Sequence, residues 1–262
     1  MKKVLTIAGS DCSGGAGIQA DLKTMVAFKT YGMSVITAIT AQNTTGVFDI
    51  MELPSDFVGK QLDCVFKDIR PDAVKVGMVS NADIVRVIAD KLIEYDAENI
   101  VVDPVMLSTS GSRLLNRGAE EALRKYLLPI ADVITPNIPE AEVLCGFAIN
   151  NKEKMQSAAM SISGMVETDV LIKGGHFEKC ADDLLYAPNG YYCWFESERI
   201  DNINTHGTGC TLSSAIACGL ALGLDVEHSI EKAKKYVSGA LLDGLDLGHG
   251  SGPLNHCWSM NS

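Results

Sequence analysis

Short apolar runs alternate with helical stretches along most of this chain, and nothing else restricts its fold as much. Val4–Ala8, Ser34–Thr40, Ala73–Val76, Ile100–Val102, Val133–Thr135 and Val170–Ile172 read as strands. Helical patterns over Ala16–Thr30, Ser55–Phe66, Ala82–Tyr95, Gly118–Leu127, Pro139–Cys145 and Glu153–Met165 separate them. This alternation predicts a mostly parallel central sheet with helices on both faces. Leu184–Ala187 and Tyr191–Phe195, joined by Pro188-Asn189-Gly190, read as a small β-hairpin. Two helices, Thr211–Leu222 and Val226–Leu245, complete the pattern. No repeat or linker interrupts the 262 residues, so the expectation is one α/β domain over 1–262, a three-layer α/β/α sandwich.

Charge and cysteine usage narrow the function. A net charge of −11 argues against nucleic acid, whose backbone calls for a basic surface. It leaves room for a nucleotide ligand, which needs only local positive potential. No apolar segment is long enough to span a bilayer, and residues 1–9 lack a signal-peptide core. The eight cysteines include no C-x-x-C pair, which suits reduced thiols and a cytoplasmic location.

A polar or glycine motif follows each strand: Gly9-Ser10-Asp11, Gln42-Asn43, Gly77-Met78, Asp103-Pro104-Val105, Thr135-Pro136-Asn137 and Lys173-Gly174-Gly175-His176. In open α/β sheets ligands bind beyond the carboxyl ends of the strands, so these groups should converge on one edge. Gly15-x-Gly17-x-x-Ala20 mimics a dinucleotide fingerprint, but Gln42 and Asn43 stand where the ribose-binding acid belongs. No G-x-x-x-x-G-K-[ST] is present, which excludes a P-loop.

Single residues keep two readings. The Gln42 amide suits a heteroaromatic ring with adjacent ring nitrogen and amino group, or is an ordinary loop amide. Asn137-x-x-Glu140 is either a capping box or a carboxylate near Mg²⁺, with Asp103 as a second acid. Lys173 is a phosphate neutraliser or a strand-terminal surface residue. Asp21 reads from position alone as a solvated first-turn acid. Met78 and Val105 are core residues or the walls of an apolar pocket.

Asn204-Thr205-His206-Gly207-Thr208-Gly209-Cys210-Thr211 joins two glycines and small hydroxyl residues to the apolar run Leu212–Leu222. A glycine turn at a helix start presents free N–H groups to an anion, and a thiol at the positive helix end is expected to acidify. His206 and Cys210 lack the further ligands that a zinc site needs.

The ordered blocks T-I-A-G-S-D-C-S-G-G-A-G-I-Q-A-D-L-K-T from Thr6, V-I-T-A-I-T-A-Q-N-T-T-G-V from Val35 and V-D-P-V-M from Val102 extend the pattern. T-P-N-I-P-E-A from Thr135, L-I-K-G-G-H from Leu171, N-T-H-G-T-G-C-T-L-S-S-A from Asn204 and G-H-G-S-G-P from Gly248 complete it. With these the chain resembles the hydroxymethylpyrimidine/phosphomethylpyrimidine kinases of thiamin biosynthesis, within the ribokinase-like superfamily. The resemblance implies an ATP- and Mg²⁺-dependent kinase, a homodimer, acting on a small pyrimidine alcohol. It makes Gln42 and Asp21 pyrimidine contacts, with Gly9, Met78 and Val105 around the ring. Gly207, Thr208, Gly209 and Cys210 become the anion hole, with Cys210 as base. Asn137, Glu140, Lys173 and Thr208 would serve the nucleotide, and Asp103 and Glu140 the metal. Thr109 stands where many relatives carry lysine, and Cys12 replaces an expected proline or serine. The alternative on the same fold is a pyridoxal or pyridoxine kinase.

Overall fold

The computed structural model describes residues 1–106, 117–175 and 181–260. Thr109 and His176 lie outside them. Among the described residues nine strands form one sheet in the order β3-β2-β1-β4-β5-β6-β7-β8-β9. The strands are β1 (Lys3–Asp11), β2 (Tyr31–Asn43), β3 (Gly46–Glu52), β4 (Ala73–Val76), β5 (Ile100–Val102), β6 (Val133–Ile134), β7 (Asp169–Ile172), β8 (Asp183–Tyr186) and β9 (Tyr192–Phe195). The run from β2 through β1 to β7 is parallel, and the antiparallel strands β3, β8 and β9 close the two margins. The β8–β9 hairpin turns at Gly190, with φ of 87°, at the expected Asn-Gly.

Helices α1 (Gly17–Ala27), α7 (Thr208–Ala221) and α8 (Val226–Leu242) cover one face. The other face carries α2 (Ser55–Asp68), α3 (Ala82–Glu94), α4 (Arg117–Ala122), α5 (Ile138–Cys145) and α6 (Lys152–Val166). Each face has its own core, because strand side chains alternate. Val4, Ala73, Val101, Val133 and Leu171 pack under α7, while Leu5, Val74, Val102, Ile134 and Ile172 face the α2–α6 layer. This is the three-layer α/β/α sandwich. α7 is buried along its length from Thr211 to Ala221, and it starts at Thr208 rather than at the expected Thr211. Gly207 takes the left-handed N-cap conformation (φ 85°), so the turn tightens five residues before the apolar run begins at Leu212. The seven cysteines among the described residues are free thiols.

Strand β3 is an element that the alternation did not predict. It pairs with β2 at the edge of the sheet and is mostly exposed, so it carries no apolar stripe to betray it.

Candidate active site

The two-residue period that builds the core also builds the site. Two positions beyond Val101, Val133 and Leu171, on the same side of the sheet, stand Asp103, Thr135 and Lys173. Thr6 follows Val4 and Lys75 follows Ala73 in the same way. The face under α7 therefore changes from apolar to charged toward the strand carboxyl ends. Strand order reverses between β1 and β4, the topological switch point where such folds bind ligands.

The floor is a closed ion pair. Lys75 and Asp21 are both 0% exposed, and Lys75 Nζ lies 2.9 and 2.8 Å from the two carboxylate oxygens. Thr6 Oγ1 and Ser214 Oγ donate to the same carboxylate at 2.6 and 2.7 Å. Burial alone would depress the Lys75 ammonium, but Asp21, with Cys210 and Asp103, outweighs it and raises its pKa. These bonds correct the solvated reading of Asp21. It is buried, because α7 lies over α1, and both its oxygens are held by protein donors.

Above the floor sits the start of α7. A Cβ on Gly207 would lie 1.9 Å from the Gly15 carbonyl oxygen, so only glycine lets these two turns approach. Thr211 N–H donates to the Gly207 carbonyl at 2.9 Å, and Thr208 N–H donates back to Thr205 at 3.2 Å. The N–H groups of Gly209 and Cys210 have no backbone acceptor among the described residues, as is usual for the first turn of a helix. Thr208 Oγ1 donates to the Thr205 carbonyl at 3.0 Å. Cys210 is half-buried in the first turn. Its expected acidification is not found. Burial pushes the thiol up to about 11, with Asp21 and Asp103 adding to the rise and Lys75 and the Gly17 N–H only partly offsetting it.

A second lysine–carboxylate pair lies at the ends of β5 and β7. Lys173 Nζ is 2.7 Å from Asp103 Oδ1, to which Thr135 Oγ1 also donates at 3.1 Å. The Lys173 side chain keeps 15% exposure. A Cβ on Gly209 would stand 3.4 Å from both Asp103 Oδ2 and Lys173 Nζ, so the helix N-terminus and this pair meet at one point. Glu140 is buried beside them. Its Oε2 accepts from Asn137 N at 2.8 Å and its Oε1 from Met106 N at 3.3 Å, while Asn137 Oδ1 accepts from Glu140 N at 2.9 Å. The capping-box reading of Asn137-x-x-Glu140 is thus realised in full. Burial raises the Glu140 carboxyl to about 7, Lys173 opposing and Asp103 adding to the shift.

The third wall carries the residues expected around a ring. A register shift between Ala41 and Gln42 re-aims the end of β2, as bulges do. The half-buried Gln42 amide lies 3.1 Å from His206 Nε2 and 3.2 Å from Thr40 Oγ1. A Cβ on Gly9 would lie 3.1 Å from Met78 Sδ, which places these two together. Val105 follows β5 and is half-buried, as is Met78. Asp11 and His206 were not singled out as site residues. They lie 195 residues apart in sequence and 2.9 Å apart in space, behind Gln42. The signal for Asp11 was a buried-strand acid followed by Ser13 and two glycines, a turn that needs an acceptor.

A model of the phosphomethylpyrimidine kinase family matches residues 11–255. The chain belongs to that family. It is 48% identical to a hydroxymethylpyrimidine/phosphomethylpyrimidine kinase of Streptomyces coelicolor over 98% of this chain and 95% of that protein. It is also 48% identical to a bifunctional thiamine biosynthesis protein of Geobacter sulfurreducens, over 97% of this chain but 52% of that longer protein. Among solved structures, phosphomethylpyrimidine kinase of Clostridium difficile superposes with a TM-score of 0.82 at 48% identity, covering 91% of this chain and 98% of that one. An ADP complex of Bacillus subtilis pyridoxal kinase superposes with a TM-score of 0.91 at 37% identity, each chain covered in full. The kinase family and its pyridoxal relatives thus share this fold, while sequence identity is higher toward the pyrimidine kinases.

Proposed function

We propose that this protein transfers the γ-phosphoryl group of ATP to the hydroxymethyl oxygen of 4-amino-5-hydroxymethyl-2-methylpyrimidine, and then to the resulting monophosphate, as a cytoplasmic homodimer. The observation that carries the reading is the meeting of the α7 N-terminus with Lys173 and Asp103 at Gly209. Backbone N–H groups, a lysine and two nearby carboxylates are what phosphoryl transfer asks of a protein, since its catalysis is positioning plus charge stabilisation. ADP or a non-hydrolysable ATP analogue occupies related pyridoxal kinases, which supports a nucleotide here.

In the first step the alcohol oxygen forms a bond to the γ-phosphorus as the bond to the ADP oxygen breaks. The Gly209 and Cys210 N–H groups and Lys173 would neutralise charge on the phosphoryl oxygens. Cys210 would accept the alcohol proton through its thiolate form. With a thiol near 11, that form is about one part in ten thousand at pH 7, so the step should quicken as pH rises. The monophosphate is already largely ionised at neutral pH and needs no such base.

The donor set fits Mg²⁺. Asp103 and Glu140 supply hard oxygens, and Glu140 is a buried carboxylate whose charge a cation would relieve. Glu140 and Asp103 would hold the ion largely through water, because Asp103 is already paired with Lys173. Bound there, the ion would screen phosphate charge.

The second reading is a pyridoxal kinase, favoured by the close superposition on such enzymes. Incubation with ATP and Mg²⁺ and either the aminopyrimidine alcohol or pyridoxal, with products resolved by chromatography, tests both. The expected result is mono- and diphosphate from the pyrimidine; product from pyridoxal alone would replace the proposal with the second reading.

A further inference from the structure

Behind Gln42 the hydrogen-bond donors among the described residues can be counted. Asp11 accepts five hydrogen bonds. Ser13 N and Oγ reach Oδ1 at 2.9 and 2.7 Å, and Gly15 N, Ala16 N and His206 Nε2 reach Oδ2 at 3.1, 2.9 and 2.9 Å. Burial works against its charge, but the bonds from His206, Ser13 and Ala16 win and lower its carboxyl to about 2. An ionised carboxylate has no hydrogen to give, so His206 Nε2 carries the one between them. A protonated Nε2 cannot accept. The Gln42 amide atom 3.1 Å from it must therefore be the carbonyl oxygen, which shares that single N–H with Asp11, since two donors would otherwise abut. The other amide atom, 3.2 Å from Thr40 Oγ1, is then the NH₂. Thr40 can receive it, because its own hydroxyl hydrogen goes to the Ser10 carbonyl at 3.0 Å.

We infer that the buried Asp11–His206 pair is a positioning device that locks the Gln42 amide in one of its two orientations and so selects an aminopyrimidine ring. The inference rests on the proposed function in taking Gln42 as the ring contact. Locked this way, Gln42 keeps one N–H and one oxygen lone pair free. The oxygen can receive a ring amino group and the N–H can reach the adjacent ring nitrogen. The reversed amide would set N–H against the amino group. A ring without that amino group makes only one of the two bonds and should be indifferent to the lock. His206 has little freedom to do otherwise. A Cβ on Gly15 would lie 2.3 Å from its Cδ2, and its backbone N–H is tied to the Gly252 carbonyl at 3.2 Å. This also gives the glycine-rich block after Gly248 a role, as the strap that holds the His206 backbone.

The test has two arms on the full chain. A long-range proton–nitrogen spectrum of the imidazoles, without substrate, should show His206 Nε2 protonated at pH 7 to 8; an unprotonated Nε2 overturns the lock. In the second arm, kcat/KM is measured with the aminopyrimidine alcohol and with its 4-deamino analogue, for wild type, His206→Phe and His206→Gln. His206→Phe should lose about tenfold on the amino substrate, the worth of one well-placed hydrogen bond. That loss should fall on KM for the alcohol and not on KM for ATP, and the deamino analogue should change by less than about twofold. His206→Gln, which returns an N–H near the Nε2 position, should recover most of it. Equal losses on both alcohols, or a loss in ATP binding, would mean that His206 only braces the α7 turn and would overturn the inference. If wild type phosphorylates neither alcohol, the proposed function fails, and the spectrum alone decides the amide orientation.

Discussion

Two lysine–carboxylate pairs lie beside the start of α7, alike in chemistry and opposite in surroundings. Lys75 and Asp21 are both 0% exposed, and every polar atom of the pair faces protein. Lys173 and Asp103 form an equally short pair, but Lys173 reaches the surface and Glu140 adds a second carboxylate nearby. The first pair has its charge balanced within the fold. The second has a carboxylate in excess, and burial raises Glu140 against its charged form. A closed pair holds elements together, here β4 to α1 with hydroxyls from β1 and α7. An open cluster with unmet charge is a place for an ion or a phosphate. Chemistry and stability are thus assigned to neighbouring pairs of one residue type, and the assignment can be broken.

The largest effect should come from the closed pair. Lys75→Ala leaves a buried carboxylate without its cation, which costs about 3–5 kcal/mol. Urea denaturation should show that loss, and Asp21→Asn in the same chain should restore part of it. If Lys75→Ala unfolds at the wild-type midpoint, the floor is not structural. Next is the thiol. Because burial lifts Cys210 to about 11, kcat/KM for the alcohol step should rise about tenfold per pH unit between pH 7 and 9. The monophosphate step should stay nearly flat, and Cys210→Ala should flatten the first profile. A flat wild-type profile would remove the base role and leave Cys210 as a wall. The smallest effect on stability belongs to Glu140. A carboxyl raised in the folded state favours its protonated form, so its contribution is full below pH 4.5 and is lost as pH rises through about 7. Glu140→Gln should therefore melt at or slightly above wild type at pH 8 and match it at pH 5, while phosphoryl transfer falls by about a hundredfold. A lower melting temperature at pH 8 would mean that the capping box outweighs the charge.

The strand order of residue types made much of this visible in the sequence. The motif after each strand located the site edge, and Lys173, Asp103 and Gly209 do converge there. Where the reading fell short, the cause was burial seen only in three dimensions. Lys75 sits inside the apolar run Ala73–Val76, yet a lysine in a short strand reads as a surface residue until its partner from α1 is found. Asp21 looked like a helix-start acid because nothing local announces that α7 covers it. Cys210 was expected to acidify from the helix dipole alone, whereas desolvation is the larger effect at this depth. Asp11 and His206 make a pair only because Gly15 and Gly207 let distant turns interlock. β3 was missed because an exposed edge strand has no inward face to enforce alternation.

The division of labour between the pairs is tested most directly by melting Lys173→Met and wild type with and without AMP-PCP and Mg²⁺. On that division the unliganded variant should lose less stability than Lys75→Ala, because Lys173 is partly open and the carboxyl of Glu140 beside it is readily protonated, and it should gain little or nothing from the nucleotide analogue that stabilises wild type. A variant that melts far below wild type yet keeps the full nucleotide-induced rise would contradict it, because Lys173 would then serve the fold in the way assigned here to Lys75.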